Sequence, residues 1–96
     1  MEELWDLVRS IPLGRVCGYG ELGRSMRNPV SGLLIGRWMA TCPEDIPWWR
    51  VVGADGKLPV WKRDANLETI QHDRLIEEGV DFDEGKVIMD RFAWIP

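Results

Sequence analysis

The stretch Tyr19–Ala40, YGELGRSMRNPVSGLLIGRWMA, carries the pattern that decides the fold. Leu22 and Met26 lie four apart on one face of a short helix beginning at Tyr19, and Arg27-Asn28-Pro29 is turn chemistry that ends it. Ser31 is a natural N-cap for a second helix running to about Ala40, because its hydroxyl can accept from an amide of the first turn. Helix, short turn, helix are the proportions of a helix-turn-helix, which serves as an ordinary helical pair or as a reader of a nucleic-acid groove. Gly32, Gly36 and Ala40 recur every four residues and leave a stripe with almost no side chain, while Leu34, Ile35, Trp38 and Met39 supply bulk elsewhere. A glycine inside a helix costs about 1 kcal/mol against alanine, so two of them imply close approach of another backbone, either a neighbouring helix or a DNA strand.

On the N-terminal side, Leu4, Trp5, Val8 and Ile11 stand at helical spacing. Glu2, Glu3 and Asp6 fill a first turn that favours negative charge. Pro12 and Gly14 end this helix, and Val16-Cys17 forms a brief extended piece. On the C-terminal side, Cys42–Asp45 is a loop leading into Ile46-Pro47-Trp48-Trp49-Arg50-Val51-Val52. Pro47 fixes its own φ and biases Ile46 towards extended geometry, which makes a stiff platform. Neighbouring indoles point to different surroundings in a strand or a helix, so one is expected in the core while the other lines something. Such an aromatic and cationic platform is either core with a surface charge or a holder for a flat ring.

Residues 53–57 read as a turn and Leu58–Trp61 as an extended piece whose Pro59 implies an edge. The basic pair Lys62-Arg63 precedes a last helix, capped by Asp64 or Asn66 and running to Glu78 with Gly79 as its stop. Leu67, Gln71, Leu75 and Glu78 share one side of it, and His72 faces solvent. Residues 80–96 alternate loosely and suggest a small hairpin ending at Phe92-Ala93-Trp94.

A chain of 96 residues suits a single domain over 1–96. Its start is acidic where a signal peptide would be basic, and no apolar run approaches the roughly 18 residues that span a bilayer. An intracellular, cytoplasmic monomer is expected, nucleoid-associated if bacterial, with no membrane partner. Cys17 and Cys42 lack metal-ligand spacing and are expected as free, buried thiols. With one histidine in the chain, a histidine-built metal site is not expected, and nothing implies a cofactor. The net charge is −4, yet Arg24, Arg27, Arg37, Arg50, Lys57, Lys62 and Arg63 face only Glu44, Asp45 and Asp55 between residues 24 and 63, a local +4. This segregation suits one basic face, or a chance cluster of solvated charges.

Taken together, Tyr19-Gly20-Glu21-Leu22, the glycine-striped helix, the Pro47-x-x-Arg50-Val51-Val52 platform, Lys62-Arg63-Asp64 and the run Asp73–Gly79 resemble the DNA-binding domain of the alkylguanine-DNA alkyltransferases. More closely they resemble the alkyltransferase-like proteins that lack the transferase cysteine. The resemblance covers about residue 2 to Trp94. It implies a mainly α, winged-helix-like helix-turn-helix domain with a small β-hairpin. In the transferases the platform reads Pro-Cys-His-Arg-Val, and histidine with a downstream glutamate deprotonates the cysteine that accepts the alkyl group. Here Trp48 stands at the cysteine position, Trp49 at the histidine position and Glu78 at the glutamate. Indole is neither this nucleophile nor this base, so transfer at this position is excluded and no catalytic residue is expected. Glu78 is then expected to have lost both relay partners and to serve as a structural helix end.

The resemblance further implies binding through the DNA minor groove, with one nucleotide rotated into a pocket beside the platform. Carried over by position, Ser31, Gly32 and Gly36 let the helix approach the groove, and Tyr19 presses on the phosphate 3′ to the flipped base. Met39, Trp48 and Arg50 fall to the lesion pocket, and Arg63 lies over the flipped base. The family places an arginine finger where this chain has Leu33. Leucine can wedge between base pairs, and Arg37, one turn later on the same face, is a candidate substitute. The implied function is non-enzymatic recognition of duplex DNA containing guanine alkylated at its 6-oxygen, marking the lesion for nucleotide excision repair proteins. A general helix-turn-helix DNA binder and a protein-interaction module using the tryptophans and the acidic tail remain the other classes.

Overall fold

The structure, a computed structural model, describes residues 2–58 and 65–96. Helix α1 (Glu2–Ser10) turns Leu4, Trp5 and Val8 inwards, as the spacing predicts, and Ile11 follows them into the core. After the Pro12–Gly14 turn comes β1 (Cys17–Gly18), two residues long, with Val16 bridging Ala93 just before it. Helices α2 (Tyr19–Ser25) and α3 (Gly32–Met39) form the expected helix-turn-helix. Ser31 caps α3, its hydroxyl accepting from the Leu34 amide at 3.2 Å.

The platform does not run on as a strand. Residues Trp48–Arg50 form a single 3₁₀ turn, closed by the Arg50 amide donating to the Pro47 carbonyl at 3.1 Å. Only β2 (Val51–Val52) is extended, and it pairs parallel with β1, Cys17 opposite Val51 and Gly18 opposite Val52. The long helix α4 (Ala65–Glu77) then packs back on the platform. Of its two candidate caps, Asn66 falls inside the first turn, whereas Asp64, like Pro59–Arg63, lies outside the described residues. Its C-terminus is a Schellman motif: the Val80 amide donates to the Leu75 carbonyl and the Gly79 amide to that of Ile76, with Gly79 at φ +87°.

The hairpin is shorter than its alternation suggested. Strands β3 (Phe82–Asp83) and β4 (Lys86–Val87) pair antiparallel, and Met89–Phe92 is one turn of helix, α5, not strand. The chain end instead clasps Val16, whose amide donates to the Phe92 carbonyl while its carbonyl accepts from the Trp94 amide. The domain is thus mainly helical, with short strands as fasteners.

Two apolar clusters result. The larger joins α1, α2, α3 and the platform through Leu4, Val8, Leu22, Ile35, Met39, Ile46, Trp48 and Val51. The smaller gathers Val16, Val52, Leu75, Val80, Val87 and Phe92, and Trp49 packs against both. Cys17 and Cys42 are free and buried. Among the described residues no helix is long and apolar enough to cross a membrane.

Candidate nucleic-acid interface

Helix α3 owes its orientation to what its small residues allow. A methyl group added at Gly32 would stand 3.2 Å from the backbone of Gly20 and 3.3 Å from the Tyr19 ring, so the α2–α3 crossing itself requires that glycine. Gly36 differs. A methyl group there would meet nothing within 4 Å among the described residues, so this half of the glycine stripe faces open space. The tight turn is fixed at Gly23, where a methyl group would fall 2.2 Å from the Val30 carbonyl oxygen.

With Ile35 and Met39 turned fully inwards, the spacing of the helix sends Leu33 and Arg37 outwards. Leu33 is 73% exposed, and Arg37 stands one turn beyond it. Ser31 is exposed beside them, and Tyr19 is half-buried at the start of α2. The Tyr19 hydroxyl reaches the backbone just after β2: a methyl group on Gly53 would lie 3.6 Å from it. Tyr19 therefore joins the exposed helical face to the platform.

The basic face is thinner than the sequence suggested. Arg24 pairs with Glu21, Lys57 with Asp55, and Arg50 with Glu78. Arg27 and Arg37 are left without an ion pair among the described residues between 24 and 58. Nearby charge is thereby concentrated on the α3 side, where Arg37 has Leu33 for company.

In the platform, Trp48 and Trp49 meet edge to face, with ring centroids 6.0 Å apart and planes at 85°. Trp48 is the buried member, 6% exposed, and Trp49 the half-buried one. Glu78, at the C-cap of α4, accepts from three residues. Trp49 Nε1 donates to its Oε2 at 2.8 Å and the Gly14 amide to its Oε1 at 3.0 Å. Arg50 donates from Nε and Nη2 to the same carboxylate and from Nη1 to the Ile11 carbonyl at 2.9 Å. Gln71 completes the clamp, donating to the carbonyls of Trp49 and Val51 at 3.1 and 3.0 Å. Burial pushes the Glu78 carboxyl up, but its bonds from Arg50, Gly14 and Trp49 outweigh that and hold it below the usual glutamate value.

Glu78 has a partner in Trp49, whose indole N–H donates to it, where loss of both relay partners was expected. Arg50 is an internal strut, with all three guanidinium nitrogens engaged. Met39 has no exposed surface and packs in the same core cluster as Trp48. Arg63 lies outside the described residues.

A residue of α4 that the sequence did not single out lies against both tryptophans of the platform. The Arg74 guanidinium lies 4.7 Å from the Trp49 ring centroid and 5.7 Å from that of Trp48. With Glu44, Trp48, Leu67 and Ile70 it lines an open groove of about 200 Å³. A signal was available: Gln71, Arg74 and Glu78 follow at helical spacing on the side of α4 that also holds Leu67 and Leu75. Burial pushes the Cys17 thiol up to about 12, aided by Glu21, so it stays protonated near neutral pH. No group of three or more histidine, cysteine or acidic side chains among the described residues could hold a metal ion.

The family described as the 6-O-methylguanine DNA methyltransferase DNA-binding domain matches residues 1–80. The chain belongs to this family. Within it, the chain is 35% identical over 102 residues to Alkyltransferase-like protein 1 of Schizosaccharomyces pombe, covering 98% of this chain and 93% of that protein. It is 29% identical over 97 residues to a DNA base-flipping protein of Vibrio parahaemolyticus, covering 98% and 94%. In three dimensions it is similar to S. pombe Atl1, solved in complex with damaged DNA containing O6-carboxymethylguanine. There the TM-score is 0.84 at 32% identity, covering 99% of this chain and 94% of that one.

Proposed function

We propose that this protein binds duplex DNA containing a guanine alkylated at its 6-oxygen, rotates that nucleotide out of the stack and performs no chemistry on it. The observation that carries the reading is the pair Trp48–Trp49 fixed on Glu78 beside an exposed α3. The two indoles meet edge to face and Trp49 is bonded to Glu78; by resemblance they stand at a transferase's nucleophile and base positions, which supports binding without transfer. Indole N–H is a donor only, so Glu78 anchors Trp49 but receives no relayed proton through it. The relatives that this chain matches along nearly their whole length are named for base flipping and for likeness to an alkyltransferase, which agrees with binding without transfer.

The energetics are of the right size. Rotating a base out costs a few kcal/mol, least where alkylation has already weakened its pairing. Leu33 is exposed enough to wedge into the vacated space, as apolar side chains do in other minor-groove binders. Gly36 leaves open space beside it on α3, in this reading Ser31 and Arg37 offer polar contacts to the groove, and by position Tyr19 presses on the neighbouring phosphate. Stacking on an aromatic returns about 1–3 kcal/mol per base, and the small exposed part of Trp48 points to the lower end. By position, Arg63 adds a cation over the flipped ring. A lesion that is held but left chemically unaltered still has to be removed, and marking it for nucleotide excision repair proteins is the function this reading assigns.

A competition titration at one stated salt concentration, on duplexes that differ only by one guanine methylated at its 6-oxygen, tests the proposal. A preference of about tenfold or more, roughly 1.4 kcal/mol, is expected. Equal affinity for both duplexes would leave a general helix-turn-helix binder, and binding to neither would leave an interaction module.

A further inference from the structure

Arg74 stands outside every role assigned so far. It is exposed on α4 one turn before Glu78, and it takes part in no ion pair among the described residues. Its guanidinium nevertheless sits where two perpendicular indoles make a corner, within 6 Å of both ring centroids. A cation so placed is attracted by both ring faces and holds their mutual angle. Trp49 is bonded through its N–H to Glu78, and its ring also lies 5.6 Å from the Arg50 guanidinium. Trp48 borders the open groove that Glu44, Leu67, Ile70 and Arg74 also line.

We infer that Arg74 is a positioning residue for lesion discrimination, fixing the Trp48 ring at the angle at which it meets the flipped base. The inference rests on the reading of Trp48 as a pocket wall. General affinity for duplex is set by α3 and phosphate contacts, which are indifferent to the angle of Trp48. Discrimination between an alkylated and an unmodified ring depends on a wall held to within a fraction of an ångström. Arg74 therefore governs the ratio of the two affinities and not their common level.

The test uses the full chain as wild type, Arg74→Ala and Arg74→Lys, with duplexes that carry or lack one O6-methylguanine. In Arg74→Ala the preference for the alkylated duplex falls about threefold or more, while affinity for unmodified duplex and its salt dependence stay within about twofold. Arg74→Lys, which keeps a cation, recovers most of the preference. Near-ultraviolet circular dichroism of the tryptophans changes in Arg74→Ala and returns towards wild type in Arg74→Lys. Equal losses on both duplexes with a shallower salt slope would make Arg74 a phosphate contact and overturn the inference, as would a preference unchanged by Arg74→Ala. Absence of any preference in the wild-type chain would instead overturn the proposed function itself, so the two failures are told apart.

Discussion

Trp49 Nε1 donates to Glu78 Oε2 at 2.8 Å, joining a residue of the platform to the C-cap of the helix that covers it. The same carboxylate accepts from Arg50 and from the Gly14 amide, so one side chain ties the platform, the end of α4 and the loop after α1 together. In the reading proposed above, these are the positions of a transferase's proton relay, held here as a strut that takes up no proton, since an indole nitrogen has no lone pair to offer.

Placing a cysteine at the nucleophile position is therefore insufficient. Trp48→Cys yields no alkyl transfer from O6-methylguanine duplex, because the neighbouring indole cannot act as its base. Adding Trp49→His supplies a base with Glu78 already in hydrogen-bonding position, and slow transfer to Cys is expected only in this double variant. Mass spectrometry of the protein after incubation with the duplex reads both results. A methylated cysteine in the single variant would show that the relay is dispensable.

Glu78 also sets an acid limit on stability. Its carboxyl is held below the usual glutamate value, for which the reference is 4.5. A lowered folded-state value means that the stabilisation is fully present above about pH 4.5 and is lost as pH falls through the folded value below that. Glu78→Gln leaves a single acceptor oxygen for the donors of Trp49, Arg50 and Gly14 and strands a nearly buried guanidinium, a cost of about 2–3 kcal/mol near neutral pH. Urea unfolding of wild type and variant across pH 3–7 should show the gap closing on the acid side. A gap constant across that range would remove Glu78 as its source.

Much of this was legible in the chain. The Leu4-Trp5-Val8 spacing, the Ser31 cap and the Gly79 stop each act through bonds between near neighbours, and all three stand as the sequence implies. The extent of the hairpin was not legible, because the segment Met89–Phe92 is too short to show a period and the distant Val16 takes Phe92 and Trp94 as partners. The surroundings of Arg50 and Met39 were not legible for a related reason. Position along the chain placed both near Trp48, but only the fold shows that Glu78 and Ile11 claim the arginine and that the core closes over the methionine. Arg74 escaped notice because an exposed helical cation is ordinarily solvated, and its two ring partners are some 25 residues away in sequence.

The two glycines of α3 should part company on substitution. Gly36→Ala meets open space, so the helix gains about 0.5–1 kcal/mol while duplex affinity falls, the added methyl standing where the groove would approach. Gly32→Ala drives a methyl to 3.2 Å from the α2 backbone, which has no flexible end to yield, and loses stability relative to Gly36→Ala. Thermal unfolding and a duplex titration on both variants check this. A Gly36→Ala protein that binds duplex as wild type does would take α3 out of the groove.

Leu33 and Arg37 are expected to divide the work of the missing finger. Leu33→Ala removes the exposed wedge, so 2-aminopurine placed at the flipped position should lose its protein-induced fluorescence gain, with a smaller loss of overall affinity. Arg37→Ala removes a cation with no ion pair among the described residues. It should weaken binding to alkylated and unmodified duplexes alike and lower the salt slope by about 1. The division follows from chemistry: an apolar side chain can enter the base stack but cannot neutralise a phosphate, and a guanidinium one turn further along α3 can. If Arg37→Ala abolished the fluorescence gain and Leu33→Ala left it intact, the arginine would be the intercalating finger and the leucine only its apolar neighbour.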